Sequence, residues 1–223
     1  MSESKTLKDR NAPMLTAYVL MHVVVVGWLL LGRPTSLKAL GDAGEAEWMK
    51  AAGTVVMGLL VSLLNRLGNS DLKAKLVSCR WQHPLPGSRA FSELAQRDQR
   101  VDVDRLKIAV GGQFPTDPDQ QNRTWFRLFQ QHADTESVTD GHRDYLLYRD
   151  TTWLSLLLCV AAPVTLWLVD RDRDVALGDL AACFVLLVLA RTAAVVAGKR
   201  FVGTVLAVAS SAVKESPPHI ITP

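Results

Sequence analysis

Cysteine is scarce in this chain: Cys79, Cys159 and Cys183 are the only three in 223 residues, and no two share a paired spacing. That excludes a disulfide scaffold and a Cys-x-x-Cys zinc site. Catalytic signatures are missing too. No His-Glu-x-x-His or Gly-x-Ser-x-Gly occurs, and Gly111-Gly112 lacks the Gly-Lys-Ser/Thr ending of a phosphate loop. The tripeptide 142-HRD-144 looks like a kinase catalytic loop, yet the asparagine needed five residues after the aspartate is Arg149, and the glycine-rich loop is absent. A formal net charge of +3 is too small to point to nucleic acid, so no such partner is expected. With no cofactor motif present, no cofactor is expected either.

Long uncharged runs are what the chain has in abundance. Residues 13–32 carry no formal charge, and His22 is their only ionisable group. About 20 apolar residues at 1.5 Å rise cross a hydrocarbon core of about 30 Å, so this run predicts a membrane helix. Lys5, Lys8 and Arg10 precede it as in a signal peptide, but the run is too long for a signal core and no small-x-small cleavage site follows. A signal anchor is therefore expected. Further spans are predicted at 48–65, 151–169 and from 175 to about 190, the last two joined by the short charged stretch 170-DRDRD-174. Arg191 then sits at the inner boundary, followed by an interfacial helix from Lys199 and a disordered tail over 214–223.

Orientation follows from the basic residues. The N-terminal tail has three Lys or Arg, residues 66–149 have thirteen and the C-terminal part has four, counting Arg191. The other two loops hold only Arg33, Lys38 and Lys50, then Arg171 and Arg173. Both termini and the central segment are thus expected in the cytoplasm. Trp28, Trp48 and Trp167 fall at the outer headgroup depth, and Tyr18, Tyr148 and Trp153 at the inner one, where such rings are favoured.

The expected fold class is an all-α membrane protein, four transmembrane helices in two hairpins with a small helical cytoplasmic domain between the second and third. The predicted division is a cytoplasmic tail (1–12), a first hairpin (13–66), the helical domain (67–150), a second hairpin (151–198) and an interfacial helix with tail (199–223). Within the domain, Ser88 is read as capping a helix that carries Phe91, Leu94 and Ala95, and Asp102 as capping one that closes at Gly111-Gly112. Thr116 and Asp119 have the spacing of a capping box around Pro118, opening a helix that presents Trp125, Leu128 and Phe129. A last helix starts near Thr135 and continues unbroken into the third span.

The candidate site lies in 82-QHPLPGSRAFSEL-94 and the helices it packs on. Arg80, Arg89, Arg123 and Arg143, with Trp81, Phe91 and Trp125 interleaved and His83 and His142 nearby, have the chemistry to hold a nucleotide or other phosphate-bearing anion by bidentate contacts and stacking. The competing reading places these arginines against anionic lipid headgroups, or against Asp98, Asp102 and Asp144. Cys79, His83, His132 and His142 have no spacing that demands a metal, and none is expected. His22 is a functional candidate because an ionisable group at membrane depth is costly; the alternative is a neutral ring bonded to a backbone carbonyl of a neighbouring helix.

The pairing of PLPGSRAFS with HRDYLLYRD just before a span resembles a group of uncharacterised bacterial four-helix membrane proteins, over residues 81–153. The resemblance implies a bacterial inner-membrane location and carries no activity. Residues and resemblance together lead to an expected inner-membrane sensor, effector or signalling subunit, set in stress or antiphage defence. The alternative is a membrane enzyme acting on lipid or nucleotide through His83, His142 and Asp144. Expected partners are the bilayer, a second copy of the chain, an anionic ligand or a cytoplasmic protein. Small residues at Ala51, Ala52, Gly53 and Gly58, and at Gly178, Ala181 and Ala182, would let helices approach closely, including between subunits.

Overall fold

The computed structural model describes residues 6–31, 44–169 and 173–213, and every regular element in them is helical. In chain order these are α1 (Leu7–Leu30), α2 (Glu45–Leu67), α3 (Ser70–Ser78), α4 (Val103–Val110), α5 (Pro118–Gln131), α6 (Glu136–Val169) and α7 (Arg173–Ala212), with short turns of other helical types over Pro86–Arg97. Four helices are long and apolar enough to cross a membrane: Leu7–Leu30, Trp48–Leu67, Glu136–Val169 and Arg173–Ala212. The loop holding Arg33 and Lys38, most of the charged connection after Val169 and the tail from Lys214 lie outside the described residues.

The chain divides into two compact units. The first comprises Met1–Val77 and Leu146–Ala194, the second Ser78–Tyr145 and Val195–Pro223. The interfacial helix expected from Lys199 is instead the end of the 40-residue α7, and its Phe201, Val202, Val205 and Leu206 are buried in the core of the second unit. An apolar stripe beside Lys199 and Arg200 reads equally as a lipid-facing or a protein-facing surface, which is why the pattern alone misplaced it.

In the first unit, α1 opens on a capping box: Asp9 N–H donates to Thr6 Oγ1, and Thr6 N–H donates back to the Asp9 carboxylate. Pro13 sits within the helix beyond that first turn. Beyond Asn11 the helix is predominantly apolar. Val19, Val26 and Leu30 are buried while Leu20, Val24 and Trp28 are exposed, an apolar outer face compatible with a membrane. α1 packs on α2, where Gly58 allows the closest approach: a Cβ there would meet Val23 Cγ2 at 2.5 Å. Gly58 thus serves packing within the chain, whereas Gly53 and Gly178 have open space around their Cα atoms.

The second unit is built around Phe201. Trp125 and Phe129 meet its ring edge-on at 5.3 Å each, His142 stacks on it at 5.0 Å and Tyr145 at 6.3 Å. Edge-on and offset contacts suit the ring quadrupole and add to the area these large side chains bury. Two local readings change. Phe91 lies in a turn over Ala90–Leu94 whose N-cap is Arg89, and Ser88 is instead buried inside the preceding 3-10 turn, Pro86–Arg89, whose N-cap is Leu85. α5 is capped by Asp117 rather than Thr116: its carboxylate accepts from Gln120 N–H, with Pro118 as the first helical residue. Asp102 and Gly111 cap α4 as expected.

Ala90–Leu94 forms a wide π-type turn. Such a turn displaces backbone donors from their usual partners, and here one side chain supplies the substitute. The buried Gln121 Oε1 accepts from Phe91 N, Ser92 N and Ser92 Oγ, each at 3.1 Å, and its Nε2 donates to Thr116 O. Gln121→Leu strands the buried Phe91 N–H, at about 1–3 kcal/mol, and removes the acceptor of the Ser92 N–H and hydroxyl. A loss of about 2 kcal/mol or more is expected in denaturant unfolding of the detergent-solubilised chain.

After this turn, Arg100 grips Asp98 with Nε at 3.0 Å and Nη2 at 2.7 Å, and Asp102 N–H donates to Ser210 Oγ of α7. The Arg100 hydrogen bonds hold the Asp98 carboxyl below its ordinary 3.8, outweighing partial burial, while Asp98 raises the guanidinium in turn. A depressed carboxylate stabilises the fold above its unfolded-state value and loses that contribution as pH falls through the folded one. Asp98→Asn should therefore be less stable than the parent near neutrality. Thermal melts of the two should converge only as pH drops below 3.8.

Candidate functional site

The loop after α3 is bent by two left-handed residues, Cys79 (φ 50°) and His83 (φ 49°). A non-glycine residue is uncommon there, and one directly before proline more so, which calls for a restraint. The restraint at His83 is a hydrogen bond from Nδ1–H to Asp119 Oδ1 at 2.8 Å, in the first turn of α5. His83 thereby fastens the loop to α5. Arg89 pairs with Glu93 one turn on, at 3.4 Å, with its Nε buried and without an acceptor. His142 lies between the rings of Phe201 and Phe129, an aromatic packing position. Arg80 and Arg123 are exposed and Arg143 is half-buried. Two of the six expected ligand residues are thus tied to carboxylates and one to aromatic rings. Among the described residues, no three His, Cys, Asp or Glu side chains are placed to hold a metal ion.

His22 is buried in the first unit. Its Nδ1–H donates to Tyr18 O at 2.9 Å, so the carbonyl belongs to its own helix, one turn back, and not to a neighbour. Tyr18 in turn reaches across to α6. Ser155 Oγ donates to Thr151 O, which leaves Tyr18 O–H to donate to Ser155 Oγ at 2.8 Å. Asp179, half-buried in α7, accepts from Cys183 Sγ–H at 3.8 Å. Asp179 escaped the sequence reading because its strongly apolar neighbours mask a single charge.

The most charged constellation in the first unit was also missed. Lys73 of α3 is buried, its side chain 6% exposed, and all three of its N–H donors are engaged: with Asn65 O at 2.9 Å, Asn65 Oδ1 at 3.0 Å and Asp150 Oδ1 at 3.2 Å. Arg149 is 10% exposed and donates from Nε and Nη2 to that same Asp150 oxygen, at 3.1 and 3.0 Å. Two buried cations therefore share one carboxylate. Burial lowers the Lys73 pKa, the Arg149 and Lys8 charges push the same way, and Asp150 opposes them. Gly68 leaves room for this packing, since a Cβ there would lie 2.8 Å from both Lys73 Cε and Trp153 Nε1. The signal that could have found the cluster is the Asn65, Lys73 and Arg149-Asp150 set, polar residues flanking the predicted ends of two spans.

Removing the shared carboxylate leaves two buried positive charges facing each other, a change of about 3–5 kcal/mol. Asp150→Asn should be the more damaging variant, and Lys73→Met, which keeps a one-to-one Arg149–Asp150 pair, should cost less than half as much. Thermal unfolding in detergent measures that order. No protein-family model, curated protein or solved structure matches this chain.

Proposed function

We propose that this is a multi-pass protein of the bacterial cytoplasmic membrane, with two transmembrane hairpins and a helical domain inserted on the cytoplasmic side, acting as a regulated sensor and membrane effector in stress or antiphage defence. The observation that carries this reading is helix length. α6 has 34 residues and α7 has 40, about 51 and 60 Å at 1.5 Å per residue, against a hydrocarbon core of about 30 Å. Residues 146–169 and 173–194, which belong to the first unit, amount to about 33–36 Å and match that thickness. The remainder of each helix, carrying His142 and Phe201, belongs to the second unit. A ligand or partner that loosens the Phe201 cluster would act on the two helices that also supply spans, with no separate linker to absorb the change.

An enzyme using His83, His142 and Asp144 is less favoured. His83 is taken up by Asp119, and the His142 ring is packed against Phe201. Overexpression in bacterial cells should depolarise the membrane, read with a potential-sensitive dye, and Phe201→Ala should change the response at equal membrane abundance. Full potential with the chain abundant in the membrane contradicts the effector role.

A further inference from the structure

The Lys73–Asp150–Arg149 cluster borders a cavity of about 480 Å³ in the first unit. Its charged lining is Lys8, Arg66, Lys73 and Arg149 against Asp9 and Asp150, an excess of two positive charges. The volume is that of a small-molecule site. Lys73 has no donor to spare, but Arg149 uses only Nε and Nη2, and among the described residues its Nη1 has no acceptor. Lys8 and Arg66 are exposed on their helices, so their side chains are available to a ligand in the cavity. A planar guanidinium with a spare nitrogen beside two mobile cations is suited to a phosphate group.

A second cavity, about 100 Å³, shares Ala12, Leu15, Asn65 and Arg66 with the first and extends to Val19 and Leu154. Its apolar part is Ala12, Leu15, Val19 and Leu154, its polar part Thr16, Ser62, Asn65 and Arg66, and the order of residues gives it a direction. The charged chamber is made by the start of α1, the end of α2, Ser70 and Lys73 of α3 and the residues just before Thr151. The crevice is made by residues further into the apolar stretches of α1 and α6. Charge at headgroup depth and an apolar crevice at acyl depth are the two halves of an amphiphile's shape. A free phosphate would fill only the chamber.

We propose that chamber and crevice form a site for one anionic phospholipid, its phosphate held by Arg149, Lys8 and Arg66 and the upper part of an acyl chain lying along Leu15, Val19 and Leu154. The bound phosphate supplies the negative charge that Asp150 alone cannot give to two buried cations. This inference rests on the spans being in a membrane and is independent of the effector role. The ligand therefore helps to hold α1, α2 and α6 together at the membrane surface, and its loss loosens them.

The test uses the full chain in a neutral detergent, titrated separately with phosphatidylglycerol, phosphatidylcholine and inorganic phosphate, with Tm as the readout. Phosphatidylglycerol should raise Tm saturably, and the other two should not. A Lys8→Gln/Arg66→Gln double variant, measured against its own lipid-free Tm, should need at least tenfold more phosphatidylglycerol for half the effect. Both positions are exposed, so folding does not depend on them as it does on Lys73 or Arg149. Equal stabilisation by phosphatidylcholine, equal stabilisation by inorganic phosphate, or an unshifted titration in the double variant would each overturn the proposal. None of these outcomes bears on membrane depolarisation, so failure here is distinguishable from failure of the effector reading.

Discussion

A hydrocarbon layer about 30 Å thick accepts about 20 residues of helix, and α6 and α7 carry 34 and 40. Neither helix has a break among the described residues, although Pro163 lies within α6. In the proposed arrangement the surplus has to leave the membrane as helix, and what it carries there must be a soluble core rather than a lipid-facing surface. The residues on it agree: Val138, Tyr145, Phe201, Val205 and Leu206 are buried in the second unit, alongside Phe91, Leu106 and Trp125. Within the second unit, the Phe201 ring stack joins α6, through His142 and Tyr145, to α7.

Electrostatics imposes the second condition. Lys73, within α3, and Arg149 and Asp150, well inside α6, are buried together, and one carboxylate cannot balance two cations. Water could ease that imbalance only by entering the cluster, and the side chains are close to nine-tenths covered or more. An anionic headgroup resolves it by chemistry that the membrane surface supplies in quantity. The same residues that read as a positive-inside bias along the sequence are, in three dimensions, a chamber with one side apolar.

Much of the fold is legible in the sequence because its strongest signals are long. Four apolar runs, the Asp102 and Gly111 caps, and the helix running from near Thr135 through the third span all follow from hydropathy and capping chemistry. What is not legible is which surface an apolar stripe faces: the residues after Lys199 and Arg200 suit a membrane interface, yet Phe201 belongs to a protein core. Short polar interactions are similarly hidden. Thr116 and Asp117 are adjacent capping residues, and only geometry decides between them. His83 and Arg89 stood out as a site because they resist explanation by turn chemistry, yet each has a carboxylate that sequence spacing does not reveal for His83, since Asp119 lies 36 positions away. The charged chamber needs four separate segments to meet, and no local pattern encodes that.

The most direct measurement for the proposed topology uses the thiols. Cys79 is exposed in the second unit, whereas Cys159 and Cys183 are buried. With a membrane-impermeant maleimide, Cys79 should stay unlabelled in intact cells whose outer barrier is opened and react in inverted membrane vesicles. Labelling from the outside of intact cells would place the second unit on the other face and contradict the account.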